Sequence, residues 1–126
     1  MKRTGRIEKK VDGDDILLTE GDGQILGMYP VLNASRDTVT VSLDGDLRRS
    51  VSTLFEDEIA SFLSANVNVV LDMKNLTYIS YGAMMSMLDL QHMAENNGRD
   101  LTLTAMQPDV AEKFASTGFD QLLMIR

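Results

Sequence analysis

Apolar and polar residues alternate along the first third of the chain, as they do in half-buried β-strands. The runs Asp15–Glu20 and Gln24–Tyr29 flank the turn segment Gly21–Gly23, and this spacing is typical of a hairpin. Thr38–Leu43 alternates strictly and is rich in β-branched residues, so it predicts a further strand. The polar cluster Asn33–Asp37 predicts the turn that precedes this strand.

Helical spacing replaces this alternation after residue 50. Thr53 and Glu56 fit a capping box, in which both side chains satisfy free backbone N–H groups at a helix start. The short apolar runs Val67–Asp72 and Leu101–Ala105 predict two more strands. The buried stripe predicted for the first helix is Val51, Phe55, Ile59 and Phe62.

Two further helices follow from the same periodicity. One is expected over Tyr81–Asn96, with Gly98 placed to stop it, and another begins at Pro108 and ends at Gly118. The last residues, Phe119–Ile125, form an apolar tail that is expected to pack against the domain. The core-facing positions predicted for the helix that starts at Tyr81 are Ala83, Met87, Leu90 and Ala94.

Strands that alternate with helices indicate βαβ units, and consecutive units of this kind build a parallel sheet. The early hairpin adds antiparallel strands at one edge. We therefore predict a single α/β domain with a mixed, mainly parallel β-sheet and helices packed against it. An N-terminal arm and β-hairpin extension cover residues 1–37, and the βαβ domain covers residues 38–126.

Loops at the carboxyl ends of parallel strands meet at one edge of the sheet, where open α/β sheets bind their ligands. Arg48 and Arg49 are therefore expected close to Ser80 and Tyr81. The segments predicted to reach this edge are Asp44–Arg49, Lys74–Tyr81 and Met106–Asp109.

Charge is unevenly distributed along the 126 residues, whose formal net charge is −7. The first ten residues carry five basic side chains and one acidic one, so they sum to +4 and leave −11 for the rest of the chain. The acidic body disfavours nucleic acid and anionic membrane surfaces as partners. The arm suits an anion or an acidic partner, but it is expected to be a solvated or frayed terminus. Its basic residues are Lys2, Arg3, Arg6, Lys9 and Lys10.

The residues that carry most catalytic and metal chemistry are scarce. The chain contains no cysteine, so it has neither a disulfide framework nor a thiolate ligand, and His92 is its single histidine. No segment of the sequence reaches the roughly 18 apolar residues of a membrane span. No nucleophile elbow or phosphate-binding lysine loop is present either. We therefore expect a cytoplasmic binding protein with no catalytic residues, metal or cofactor and no direct membrane insertion.

The segment Asn75–Leu88, which follows the strand-like run Val67–Asp72, resembles the signature of the STAS domain, the family of anti-sigma factor antagonists. In that family the loop reads Ile-Asp-Ser-Ser-Gly-Leu, and the serine after the aspartate is the phosphorylated switch. With the two aligned on Ile79, Ser80 replaces the aspartate and Tyr81 replaces the switch serine. Weaker blocks extend the resemblance over residues 38–125.

The resemblance implies a STAS-like fold and a non-enzymatic regulatory module that binds an anti-sigma factor or a serine kinase-like partner. It also implies that kinases of this family do not phosphorylate Tyr81, so that any surviving switch has moved to Ser80 or Thr77. An alternative implied by the same family is a STAS-like subunit of a membrane lipid ABC transporter. The oligomeric state stays open.

Ser80 and Tyr81 occupy the regulatory position that the resemblance implies, and two interpretations of them stay open. Either Ser80 is a plain N-cap and Tyr81 covers the helix end, or both residues contact a partner. On the outer face of the helix, Met85, Leu88 and His92 are predicted to form a small exposed patch. The predicted partner-binding residues are Arg48, Arg49, Ser80, Tyr81, Gly82, Met85, Leu88 and His92.

Overall fold

One sheet passes through the whole molecule in the computed structural model, which describes residues 6–126. Its strands are β1 (Ile7–Asp12), β2 (Asp15–Glu20), β3 (Gly23–Leu32), β4 (Thr38–Leu47), β5 (Asn68–Ile79), β6 (Leu101–Thr104) and β7 (Met124–Ile125). The helices within that range are α1 (Ser52–Ser64), α2 (Tyr81–Asn96) and α3 (Pro108–Thr117). Two short 3-10 turns, Arg49–Val51 and Phe119–Gln121, precede α1 and follow α3.

The strands lie in the sheet in the same order as in the chain. Neighbours from β1 to β4 pair antiparallel, whereas neighbours from β4 to β7 pair parallel, so the predicted mixed sheet is confirmed. In the described range the sheet has as many antiparallel as parallel strand pairs, because β1 adds a strand to the predicted hairpin of β2 and β3. The helices connect the strands of the parallel half, since each parallel connection needs a crossover.

The N-terminal arm was expected to be solvated or frayed; in the part that the structure describes, most of its side chains are exposed, but it is not frayed. β1 pairs with β2 along its full length, and Ile7 is partly buried against the core. The Nζ of Lys9 donates a hydrogen bond to a carboxylate oxygen of Glu58 in α1. Backbone pairing thus fixes this charged segment as an edge strand. Lys2 and Arg3 lie outside the described residues.

Alternate residues of the central strands face the helices and form the core. Val39 of β4 lies beside Val69 of β5, Val41 lies beside Leu71, and all four side chains are buried. The stripe predicted for α2 is confirmed, and Met84 is buried with it. Burying each such side chain stabilises the fold by roughly 1.5–3 kcal/mol, so the β4–β5 pair and its helices carry much of the stability.

The start of α1 differs from the predicted capping box. The 3-10 turn leads directly into the helix, and the hydroxyl of Ser52 donates to the carbonyl oxygen of Arg49 at 2.9 Å. Its N-cap, Val51, makes no side-chain cap bond, because valine has no side-chain acceptor; its backbone N–H donates to the carbonyl oxygen of Arg48 at 3.1 Å. The buried stripe also shifts at its end. Leu63 is fully buried four residues after Ile59, whereas Phe62 is only partly buried.

β4 and β5 extend further than the alternating pattern predicts, so the predicted loops Asp44–Arg49 and Lys74–Tyr81 are largely strand. Leu76 and Ile79 are buried at a spacing of three residues, which is not the period of a regular strand. The pairing of β4 with β5 shifts register twice in this region, and these irregularities absorb the extra residues.

Gly45 allows this irregular pairing. Its φ of +116° lies where residues with a side chain are strained, and a Cβ added there would lie 2.2 Å from the carbonyl oxygen of Ile25 in β3. β3 therefore packs directly against the backbone of β4 at this point. The glycines that were predicted to end helices behave similarly, since Gly98 and Gly118 also have positive φ.

We expect Gly45→Ala to lower the free energy of unfolding by about 2 kcal/mol or more, because it combines backbone strain with a steric clash. Urea denaturation followed by circular dichroism measures this loss. Gly21→Ala is the matched control, because Gly21 also has positive φ (+62°) but a Cβ there would meet no atom within 4 Å. The control should lose only about 1 kcal/mol. Equal losses for the two variants would show that the contact with Ile25 does not matter.

Candidate functional site

The predicted regulatory segment lies at the carboxyl ends of β4 and β5. The two strand ends stay paired as far as Leu47 and Ile79. The backbone N–H of Ser80 then donates to the carbonyl oxygen of Leu47 at 3.0 Å. This bond holds the entry to α2 against the entry to α1, so the two loops that the sequence predicted to meet do meet.

Ser80 is the N-cap of α2. Its backbone is extended, with φ −84° and ψ 161°, and its Oγ accepts a hydrogen bond from the backbone N–H of Ala83 at 3.0 Å. Its carbonyl oxygen accepts the N–H of Met84 at 3.1 Å. The residue is only 8% exposed. The N-cap role is therefore confirmed, and such a cap contributes about 1 kcal/mol to stability.

Tyr81, in contrast, projects from the surface. It is 60% exposed, and its ring stands edge-on to Phe119, with ring centroids 5.5 Å apart and an interplanar angle of 65°. Gly82 is exposed beside it, and a Cβ built on Gly82 would lie 4.0 Å from Cγ of Arg49. The structure thus brings Arg49, Tyr81 and Gly82 together, as the sequence predicts.

Arg48 lies on the same edge, but its charge is partly compensated. Its Nη2 donates to Oδ2 of Asp46 at 2.8 Å, and the hydroxyl of Thr77 donates to Oδ1 of the same carboxylate at 3.0 Å. The hydrogen bond from Arg48 lowers the pKa of Asp46 below its usual value; burial opposes this shift, and the hydrogen bond from Thr77 assists it. Asp46 and Thr77 therefore fix the position of Arg48 and tie β4 to β5.

Two side chains at this edge were not predicted as part of the site. Tyr78 is 47% exposed near the end of β5, and the Nζ of Lys113 lies 4.4 Å above the centre of its ring. The same ammonium donates to the carbonyl oxygen of Ile79. A shallow cavity of about 170 Å³ lies among Thr77, Tyr78, Ile79, Asp109, Val110 and Lys113. No local sequence signal links Lys113 to β5, because the two are distant in the chain and only the fold brings them together.

The outer face of α2 agrees with the prediction at two of three positions. Met85 is 39% exposed and His92 is exposed, in one line with Tyr81. Leu88 does not point outward as predicted, because it is partly buried and packs against the core. It lies one turn after Met84, whose sulfur contacts the Thr117 hydroxyl of α3 at 4.0 Å. α3 thus contacts α2 at Met84.

No three His, Asp or Glu side chains among residues 6–126 come together as metal ligands do. The pKa values of Asp37 and Asp46 lie below the usual value of an aspartate, so neither carboxyl is tuned toward proton transfer near neutral pH. None of the described helices is both long and apolar enough to cross a membrane.

A family model described as "Mlab, STAS domain" matches residues 31–125. Among solved structures, the chain resembles a putative anti-sigma factor antagonist from Thermotoga maritima, with a TM-score of 0.71 at 16% identity over 78% of this chain and 84% of that one. An anti-sigma factor antagonist from Mycobacterium paratuberculosis gives 0.69 at 12% identity over 79% and 84%. The phosphorylated Bacillus cell fate determinant SpoIIAA gives 0.60 at 16% identity over 79% and 90%. No curated protein matches the chain. The structural likeness shows a shared fold.

We expect Arg48→Gln to raise the pKa of Asp46 toward its ordinary value, because the variant loses the charged donor. NMR titration of the side-chain carboxyl carbons measures this pKa. Because the folded-state pKa of Asp46 is lowered, its contribution to stability is present above the unfolded value of about 3.9 and is lost as the pH falls through the folded value.

The free energy of unfolding of the wild type should therefore exceed that of Arg48→Gln above about pH 4, and the gap should close as the pH falls further. Arg49→Gln is the control, since Arg49 does not pair with Asp46. A pKa of Asp46 that moves as much in Arg49→Gln as in Arg48→Gln would contradict a specific pair.

Proposed function

Because the chain belongs to the family of STAS domains, we propose that it is a non-enzymatic regulatory module of the cytoplasm that binds an anti-sigma factor or a serine kinase-like partner. The observation that carries the proposal is the Tyr81 surface, which we define as Arg49, Tyr78, Tyr81, Gly82 and Met85. Its aromatic and apolar side chains are exposed at the edge where open α/β sheets bind their ligands.

The composition of the Tyr81 surface supports a protein partner. Tyrosine and arginine are enriched among the residues that dominate binding energy at protein interfaces. The contact with Phe119 holds the Tyr81 ring in place, and the contact with Lys113 does the same for Tyr78, so little side-chain entropy remains to be lost on binding. His92 extends the surface along α2, and Arg48 borders it beside Asp46.

We further propose that partner binding does not depend on phosphorylation of this segment. Ser80 is buried, and its Oγ serves α2 as the cap, so a kinase reaches it only if the first turn opens. Thr77 is exposed, but its hydroxyl lies 3.0 Å from Oδ1 of Asp46, which would repel a phosphate. Tyr81 is exposed but lacks the aliphatic hydroxyl that serine kinases modify.

After incubation with the host's candidate anti-sigma kinases and ATP, we expect peptide mass spectrometry to find Tyr81, Ser80 and Thr77 unmodified. The bound fraction of partner should also be the same before and after phosphatase treatment. A known kinase substrate in the same reaction shows that each enzyme is active. Stoichiometric phosphate on any of the three residues would refute this part of the proposal.

A second candidate is a STAS-like subunit of a membrane lipid ABC transporter. The observation that favours it is the matching family model, whose description names Mlab and not an anti-sigma factor antagonist. The two candidates predict different stable complexes. Purification of the chain from its host under mild detergent yields either a sigma-factor regulator or a transporter ATPase, and the genes that neighbour its own should agree with the result.

For either partner, Met85→Asp should weaken binding at least tenfold, because burial of one apolar side chain is worth roughly 1.5–3 kcal/mol. Tyr81→Ala should do the same. Isothermal titration calorimetry with the purified partner gives both affinities. The melting temperature should change little in either variant, since Met85 and Tyr81 are exposed.

Two control variants accompany this test. Val31→Asp places the same charge on a residue that is 68% exposed at the opposite end of the sheet, and it should bind like the wild type. Leu90→Asp should unfold the domain, because it buries an unpaired charge in the core. If Met85→Asp and Tyr81→Ala both bind with wild-type affinity, the Tyr81 surface is not the interface.

A further inference from the structure

A second surface lies at the other end of the sheet, where β3 ends and where β4 and β5 begin. An open groove of about 320 Å³ separates the end of α1 from the strands there. β4 has ten residues and spans about 30 Å, so the groove is distant from the Tyr81 surface. The apolar residues that line the groove are Pro30, Leu32, Val39, Phe62, Ala65 and Val67.

The groove exists because the strands extend beyond the end of α1 here. α1 ends at Ser64, while β3 continues to Leu32 and pairs with the start of β4. Leu32 is consequently 42% exposed, and Phe62 is only partly buried. A small pocket beside the groove shares Pro30 and Phe62 with it and is also lined by the buried Ile59. Folding alone gives no reason to leave these apolar side chains in contact with water.

One wall of the groove carries an acidic side chain, Asp14, in the turn between β1 and β2. Asp12 and Asp15 flank this turn, but Asp15 alternates with the buried Ile16 and lies with its partner Asp12 on the opposite face of the sheet. The ion pairs found within residues 6–126 join Lys9 to Glu58 and Arg48 to Asp46, so neither of them neutralises Asp14. Because the chain after its first ten residues also carries a net charge of −11, this surface favours a basic partner.

We propose that this groove docks a basic amphipathic segment of a partner protein. Apolar side chains of the segment enter between Leu32 and Phe62, and its lysine or arginine side chains face Asp14. The volume is near the lower end of the range for ligand pockets, which suits a few anchoring side chains of a helix laid in a groove. A second copy of this acidic chain would bring like charges together at the same place. The site is independent of the partner proposed for the Tyr81 surface.

Labelled model peptides test the proposal on the full-length protein. One is an amphipathic helix of leucine and lysine, about 18 residues long so that it is helical on its own. The other has the same leucine pattern with glutamate in place of lysine. In fluorescence anisotropy at physiological salt, we expect the leucine–lysine peptide to bind and the leucine–glutamate peptide not to bind. Binding of both peptides, or of neither, would overturn the proposal.

Neighbouring substitutions distinguish docking in the groove from general attraction to an acidic protein. Val31 and Leu32 are adjacent on β3 and point to opposite faces of the sheet, and both are exposed. Leu32→Asp should weaken the leucine–lysine peptide at least tenfold, whereas Val31→Asp adds the same charge and should not weaken it. Asp14→Asn should reduce both the affinity and its salt dependence. Equal affinities for Leu32→Asp and Val31→Asp would overturn the proposal.

Ala65→Phe gives a second test, in which a larger side chain fills the groove from an exposed position. It should weaken binding of the leucine–lysine peptide as Leu32→Asp does, and an unchanged melting temperature shows that the fold is intact.

Sedimentation velocity examines self-association: a dimer that Leu32→Asp converts to a monomer would identify a second copy as the occupant and overturn the proposal. Met85→Asp should leave peptide binding unchanged, so this result does not depend on the Tyr81 surface.

Discussion

The pairing of β4 with β5 connects the two halves of the molecule. β4 is antiparallel to β3 on one side and parallel to β5 on the other, so the N-terminal strands and the βαβ units share one core through it. The hydrogen bond from Ser80 to Leu47 continues this pairing beyond the last paired residues and sets where α2 begins. The position of the candidate site is therefore a consequence of the central pair, and any change that shifts its register moves both loops.

Most of the fold could be predicted from the sequence, because it depends on local patterns. The alternation of Thr38–Leu43 and the helical spacing of α2 are visible in any window of ten residues. β1 was missed because its charged residues conceal a strand that forms only against β2. The full length of β5 was missed for another reason: its bulged pairing breaks the alternation by which strands are recognised.

The candidate site was predictable only in part, for a similar reason. Arg49, Tyr81 and Gly82 meet because parallel strands end together, and the order of elements in the sequence contains that information. Lys113 reaches Tyr78 from α3 through tertiary packing, which no short motif encodes. The predicted orientation of Leu88 was wrong because helical periodicity separates two faces but does not show how far the core extends along each flank.

The side chains that form the frame of the site and those that face solvent are different residues. Gly45 and Ser80 fix the backbone, whereas Arg49, Tyr81 and Met85 project from it and contribute little to folding. Substitutions at the projecting positions are therefore nearly neutral for stability. After gene duplication, two copies of such a chain can diverge in partner choice through single substitutions without passing through an unfolded intermediate.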